Sequence, residues 1–145
     1  VLPGRGRPLR LFDETSGRSE PVSVSGTARM YVCGITPYDA THMGHAFTYV
    51  VFDTLARYFQ FKGWPVRYAQ NVTDIDDKLI KRSNEQGVPV AELAKRYSDS
   101  FQDDMQNLNV RPADVYPRAT EEIDKILEVI GGLVDNILNT LKRQD

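Results

Sequence analysis

Ala28-Arg29-Met30-Tyr31-Val32-Cys33-Gly34-Ile35-Thr36-Pro37-Tyr38-Asp39-Ala40-Thr41-His42-Met43-Gly44-His45 begins as a β-forming run, breaks into a Gly, Pro and Asp loop, and ends on two histidines around Met43-Gly44. A strand is predicted over Ala28 to Val32, with Met30 and Val32 on one face and Tyr31 packing on the other. From Gly44 to Lys62 the apolar residues Phe47, Val51, Leu55 and Tyr58 follow a three-to-four spacing, which predicts a helix with one buried stripe. Gly63 is placed to stop that helix, and Pro65 to Val72 reads as a second strand. Strand, helix and strand make one right-handed βαβ unit with parallel strands, the opening of an α/β nucleotide-binding crossover.

Outward from this unit, residues Val1 to Pro8 read as an arm. Leu9 to Phe12 and Glu20 to Val24 read as two short strands joined across Thr15-Ser16-Gly17-Arg18, where glycine supplies the positive φ of a tight reversal. After the second strand, Thr73-Asp74-Ile75-Asp76-Asp77-Lys78 opens a helix to about Glu85, with Thr73 or Asp74 as its cap and the acids at the positive end of its dipole. Gly87-Val88-Pro89 breaks it. Val90, Leu93, Tyr97, Phe101, Met105 and Leu108 then form a long helical stripe, with Lys95, Arg96, Asp99 and Asp103 outside it. Val110 to Arg118, with two prolines, is expected to be irregular. Thr120 is the expected N-cap of a last helix carrying Ile123, Ile126, Leu127, Ile130, Leu133, Val134, Ile137, Leu138 and Leu141. Gly131-Gly132 is expected to kink or end that helix, at about 1 kcal/mol per glycine relative to alanine. The division is residues 1–27 as arm and hairpin, and 28–145 as the front portion of a larger α/β, Rossmann-like domain with parallel strands and C-terminal helices. Two parallel strands make a thin sheet, and the last helix offers an apolar face suited to self-association.

Composition bounds the function. A chain of 145 residues with 41% hydrophobic content suffices for one compact domain with a real core. A net charge of −2 gives no global attraction to a polyanion, so any RNA contact must come from a local cluster of cations. One cysteine excludes an internal disulfide and fits a reducing interior. No apolar run approaches the ~18 residues of a spanning helix, and the N-terminus lacks a signal-like apolar core, so a cytoplasmic setting is the expectation.

The chemistry concentrates at His42 and His45, the only histidines of the chain. At the mouth of a helix that follows a strand, amide N–H groups and the dipole favour phosphate. Imidazoles there can add donors to the charge that develops when an α-phosphate is attacked. Gly44, lacking a Cβ, lets a flat purine approach the backbone. The bland alternative is an N-capping pair. Asp74, Asp76 and Asp77 raise the question of magnesium but read more naturally as dipole partners. The Lys81-Arg82 and Lys95-Arg96 pairs read as solvated faces.

Met30 to His45 resembles the opening of the catalytic domain of cysteinyl-tRNA synthetases, with His42 to His45 in the place of the family's His-Ile-Gly-His motif. The resemblance continues through Asn71-Val72-Thr73-Asp74-Ile75-Asp76-Asp77-Lys78 and Pro117-Arg118-Ala119-Thr120. The related cysteine ligases of mycothiol biosynthesis share Thr36-Pro37-Tyr38-Asp39-Ala40-Thr41-His42, and the arm looks like theirs. Asp76 to Arg82 looks more like the tRNA-charging branch. The resemblance implies activation of cysteine with ATP and Mg2+, then transfer to tRNA or, in the alternative, to an amino sugar. A non-catalytic fragment that binds nucleotide or a partner is the rival of another class. His42 and His45 would stabilise phosphate charge. Cys33, Gly34, Ile35, Thr36, Gly44, Thr48, Asn71, Val72 and Thr73 would line the site for ATP and cysteine. Cys33 would also bind Zn2+, whose preference for soft sulfur selects a substrate thiol over serine. The family's other zinc ligands include a cysteine and a histidine that this sequence lacks, so a complete zinc site is not expected from it. The family's Lys-Met-Ser-Lys-Ser motif is also absent.

Overall fold

The computed structural model describes residues 8–141; the expected arm lies outside them except for Pro8. The elements in chain order are β1 (Arg10–Asp13), β2 (Arg18–Pro21), β3 (Ala28–Ile35), α1 (Met43–Phe61), β4 (Val66–Val72), α2 (Asp77–Gln86), α3 (Val90–Asn107), a 3-10 turn (Ala119–Glu121) and α4 (Ile123–Leu141). β1 and β2 pair antiparallel, Arg10 opposite Pro21 and Asp13 opposite Arg18. Gly17 reverses the chain at φ 66°. This is the expected hairpin, with the first strand displaced toward the turn by one residue and the second by two to three.

β3 and β4 pair in parallel, from Ala28 opposite Val66 to Ile35 opposite Val72, with a register shift between Val32 and Ile35. The chain from Asp114 to Arg118 lies beside β4 as a third, broken parallel run. Gln70 N–H donates to the Val115 carbonyl at 3.1 Å and Val72 N–H to that of Pro117 at 2.9 Å. Pro112 and Pro117 carry no N–H, which limits this segment to isolated bridges rather than a strand.

One face of the sheet, with Val32, Ile35 and Tyr68, packs against Tyr49 of α1 and against Phe101 and Met105 of α3. The Tyr49 and Phe101 rings meet edge to face at 5.0 Å. Each such large apolar side chain contributes about 1.5–3 kcal/mol on burial. A second cluster of Leu79, Leu93 and Ala94 joins α2 to α3 and gathers Tyr38, which anchors the loop after β3.

Several sequence expectations shift here. Tyr31 does not pack; it is 67% exposed, on the face of the sheet opposite the core. On α1 the inward residues are Tyr49, Asp53, Ala56 and Phe59, while Phe47 and Val51 are exposed. The stripe is displaced by one to two residues because the helix docks through Tyr49 and Phe59 and through Asp53, which ties to Arg57 of its own helix and to Arg111 of the loop after α3. Gly63 does end α1: its N–H donates to Gln60 and the Trp64 N–H to Phe59, with the Phe59 and Trp64 rings 5.7 Å apart. α2 is capped by Asp76, which accepts from Leu79 N–H at 2.9 Å, and not by Thr73 or Asp74. Leu108 is exposed at the end of α3. Thr120 lies inside the 3-10 turn rather than capping α4, because its N–H and hydroxyl both donate to Asp74, at 3.0 and 2.7 Å. α4 runs through Gly131-Gly132 without interruption. Its apolar residues from Ile123 to Ile137 are all exposed; the side chains of Leu138 and Leu141 lie outside those described.

Candidate active site at the mouth of the first helix

The end of β3 is built around one peptide unit. Where the ladder with β4 slips, the Cys33 carbonyl and the Gly34 N–H have no strand partners, and both must be satisfied elsewhere. Tyr49 of α1 donates its hydroxyl to the Cys33 carbonyl at 3.0 Å, and Asn71 of β4 accepts the Gly34 N–H on Oδ1 at 2.8 Å. These are the two ends of the same peptide bond, held from opposite sides of the sheet. Asn71 Oδ1 also accepts from the Tyr31 hydroxyl at 2.9 Å, and its amide donates to Thr73 Oγ1 at 3.2 Å. Thr73 N–H closes the set on the Ile35 carbonyl at 3.0 Å. Burial, then the nearby Cys33 and Tyr116, push the Tyr49 hydroxyl up to about 12, so it remains a donor throughout the neutral range.

Glycine is required at position 34. A Cβ there would sit 1.5 Å from the Asn71 carbonyl oxygen, so the two strands can approach only without one. The Cys33 thiol is exposed.

The histidines cap α1 reciprocally. His42 Nδ1 accepts from Gly44 N–H at 3.1 Å, and His45 Nδ1 faces the His42 N–H at 3.4 Å. The rings stack with centroids 3.9 Å apart and planes inclined by 19°. Because each ring uses Nδ1 as acceptor, each Nε2 carries the proton and is the donor left for a ligand. Burial, and secondarily the adjacent His42, lower the His45 pKa, which keeps that ring neutral at pH 7. The first-turn amides of Gly44, His45 and Ala46 are bonded to His42. The donors left at this mouth are therefore those of the imidazoles, beside a helix dipole that no acidic side chain of the first turn offsets. Gly44 serves the cap directly: a Cβ would lie 2.9 Å from His42 Cε1.

Gly34, Ile35, Thr36, Tyr38, Asp39, Ala40, His42 and His45 line one cleft of about 270 Å³. Five of the expected site residues thus meet there. Asn71 and Thr73 stand behind it, holding β3. Gly44 and Thr48 belong to the first turns of α1, with the Thr48 hydroxyl donating to the Gly44 carbonyl at 3.0 Å. Val72 is buried in the sheet at 5% exposure. Tyr38, Asp39 and Ala40 were not singled out from the sequence, although they lie within the same loop; Tyr49 was hidden by the misplaced phase of α1. A larger cavity, about 320 Å³, lies on the core face of the sheet between Tyr49, Gln70, Phe101 and Met105, away from the histidines.

Among the described residues no three of His, Cys, Asp and Glu gather as a metal site. Cys33 alone does not make the four-ligand shell that zinc takes, so these residues do not by themselves fit that ion. The acids after β4 are likewise occupied as structure. Asp74 is buried against Thr120 and 3.7 Å from Arg118, and Asp76 caps α2.

Residues 20–141 match the family described as tRNA synthetases class I (C) catalytic domain. The chain is 50% identical over 134 residues to L-cysteine:1D-myo-inositol 2-amino-2-deoxy-alpha-D-glucopyranoside ligase of Mycolicibacterium gilvum, covering 92% of this chain and 30% of that one. It is 46% identical over 130 residues to the cysteine–tRNA ligase of Dehalococcoides mccartyi, covering 88% of this chain and 28% of the relative. Among solved structures, Mycobacterium tuberculosis methionyl-tRNA synthetase bound by methionyl-adenylate superposes with a TM-score of 0.59 at 30% identity, over 66% of this chain and 19% of that one. The α/β fold is thus the Rossmann-like one of class I synthetases. The chain spans about three tenths of the length of the curated relatives it matches.

Proposed function

The chain belongs to the family of class I tRNA synthetase (C) catalytic domains, and we propose that it supplies the nucleotide-facing half of a cysteine-activating site. In this reading residues 28–145 are the front of the catalytic domain and residues 1–27 an arm and hairpin. The reaction is attack of the cysteine carboxylate on the α-phosphate of ATP, giving cysteinyl adenylate and pyrophosphate; Mg2+, when bound, would assist by offsetting phosphate charge. The observation that carries it is the pair of stacked imidazoles, each with Nε2–H unspent, in one cleft with Gly34 to Thr36. Such donors are suited to the oxygens of a phosphoryl group as charge builds on it. Catalytic roles fall to His42 and His45. Cys33, Gly34, Ile35, Thr36, Gly44, Thr48, Asn71, Val72 and Thr73 form the binding wall, several of them through the backbone they hold.

The acceptor in the second step is tRNA, in line with the tRNA ligases among the relatives. The second reading, transfer to a glucosaminyl inositol, draws support from the relative at 50% identity. Zn2+ on Cys33 would need ligands from outside the described residues. A cytoplasmic setting fits the single free thiol, and the described helices include none long and apolar enough to cross a membrane. The exposed stripe of α4 is the surface for self-association.

Binding of a sulfamoyl analogue of cysteinyl adenylate, followed by calorimetry on this chain, tests the reading. We expect binding that weakens about tenfold in His45→Ala, a loss typical of one charge-assisted hydrogen bond. No binding, or equal binding of the variant, would sink it. Pyrophosphate exchange dependent on cysteine and ATP should be slight for this chain alone. It should be restored when the chain replaces the matching segment of the Dehalococcoides mccartyi ligase.

A further inference from the structure

Tyr38 and Asp39 stand between two clefts. On one side they close the cleft of His42 and His45; on the other they join Lys78, Lys81, Arg82 and Glu85 around a second cleft of about 230 Å³. Lys78, Lys81 and Arg82 are spaced i, i+3 and i+4, so they share one face of α2, while Leu79 and Ser83 turn inward. Their compensation is unequal. Arg82 lies between Asp39 at 3.8 Å and Glu85 at 3.7 Å, and so answers both acids of the cleft. Among the described residues, neither Lys78 nor Lys81 has a carboxylate within 4.0 Å, whereas Lys95 is paired to Asp99 at 2.5 Å and Lys125 to Glu128 at 2.6 Å. Lys78 instead lies over the Tyr38 ring, 5.6 Å from its centroid. An acidic chain of net charge −2 therefore leaves two ammonium groups without a carboxylate partner beside an aromatic ring, at the edge of the cleft of His42 and His45.

We propose that the Lys78 and Lys81 face of α2 is a phosphate-backbone subsite, which takes the single-stranded end of an RNA acceptor where it enters the cleft of His42 and His45. The proposal rests on the reading above and deepens it: this face separates a polyanionic acceptor from an amino sugar, which carries an amine and no phosphate. Cations that track the backbone in a groove are what single-stranded RNA requires, and the Tyr38 ring, packed against α2 and α3, holds Lys78 in place at the edge of that groove. Each phosphate so neutralised releases counterions and makes the affinity salt-dependent.

The test is fluorescence anisotropy of a labelled single-stranded RNA hexamer ending in CCA, titrated with the chain at several salt concentrations. The wild-type chain is compared with Lys78→Gln/Lys81→Gln and with Lys78→Arg/Lys81→Arg; circular dichroism verifies the fold of each. We expect the glutamine pair to weaken RNA binding about tenfold and to flatten the slope of log affinity against log salt by about 1.4, at 0.7 for each phosphate. The arginine pair should retain both. Affinity for the adenylate analogue should be the same in all three proteins. The subsite is overturned if wild-type chain does not bind the hexamer, or if the glutamine pair leaves affinity and slope unchanged. It is also overturned if ATP binding falls in step with RNA binding, since the cations would then serve the triphosphate. Failure of the analogue to bind wild-type chain would instead strike the adenylate reading, so the two failures are told apart.

Discussion

Position 34 shows how one missing carbon sets the geometry of the site. Gly34→Ala would drive a methyl group into the Asn71 carbonyl. Because the clash is with backbone, the parallel pair must separate, and the destabilisation should be at least about 3 kcal/mol in urea denaturation. A wild-type midpoint in that variant would show that the strands do not meet as described. His45 gives a second prediction at this scale. Its pKa is lowered from the ordinary 6.5 by burial and by His42, so below 6.5 the unfolded chain takes up the proton more readily than the folded one. Its contribution to stability is complete above 6.5 and is lost as pH falls toward the lowered value. Protonation also removes the Nδ1 lone pair that faces the His42 N–H. The Tm should therefore decline from about pH 7 to about pH 5, and His45→Gln should make that decline shallower. An identical pH profile in the variant would contradict the assignment.

Among the elements, α2 illustrates what composition leaves open. Thr73, Asp74, Asp76 and Asp77 are all acceptable near a helix start, and local preference does not rank them. Tertiary contacts do: Thr73 is committed to Asn71 and Ile35, and Asp74 to Thr120, which leaves Asp76 free to cap. Asp76→Ala should cost about 1 kcal/mol, read as a lower urea midpoint with an unchanged slope, while Thr73→Ala should not reproduce a capping loss in α2. The same logic explains α1. Its length and its glycine stop were legible in the three-to-four spacing and in Gly63, but two adjacent stripes are almost equally apolar. The choice between Phe47 with Val51 and Tyr49 with Phe59 was made by what stands opposite, namely Phe101 and the Cys33 carbonyl.

Across the whole molecule, the core joins β3, β4, α1 and α3, whereas α4 presents its apolar stripe to the outside, with Leu127 at 61% and Leu133 at 57% exposure. A stripe of that extent on a helix that no other described helix or strand covers is a surface that favours association. Sedimentation velocity should show concentration-dependent self-association of this chain. Ile130→Glu with Leu133→Glu should abolish it; a monomer at all concentrations would remove α4 from consideration.

The sequence by itself determined the local order: a strand, a helix opened by two histidines, and a second strand parallel to the first; the strand expected to stop at Val32 runs on through the sole thiol, Cys33, to Ile35, because pairing with β4 extends it. Strand and helix periods, glycine stops and the quoted motif are properties of neighbouring residues, so the βαβ unit and the place of His42 and His45 at the mouth of its helix could be read without coordinates. Only the tertiary structure decided which residues hold that cleft in shape. Tyr49 and Asn71 clamp one peptide from opposite faces of the sheet, Asp74 reaches Thr120, and Tyr38 is shared between two clefts. Partners so far apart along the chain are chosen by the packing of whole elements, because a buried polar group takes whichever mate the fold delivers within hydrogen-bond reach.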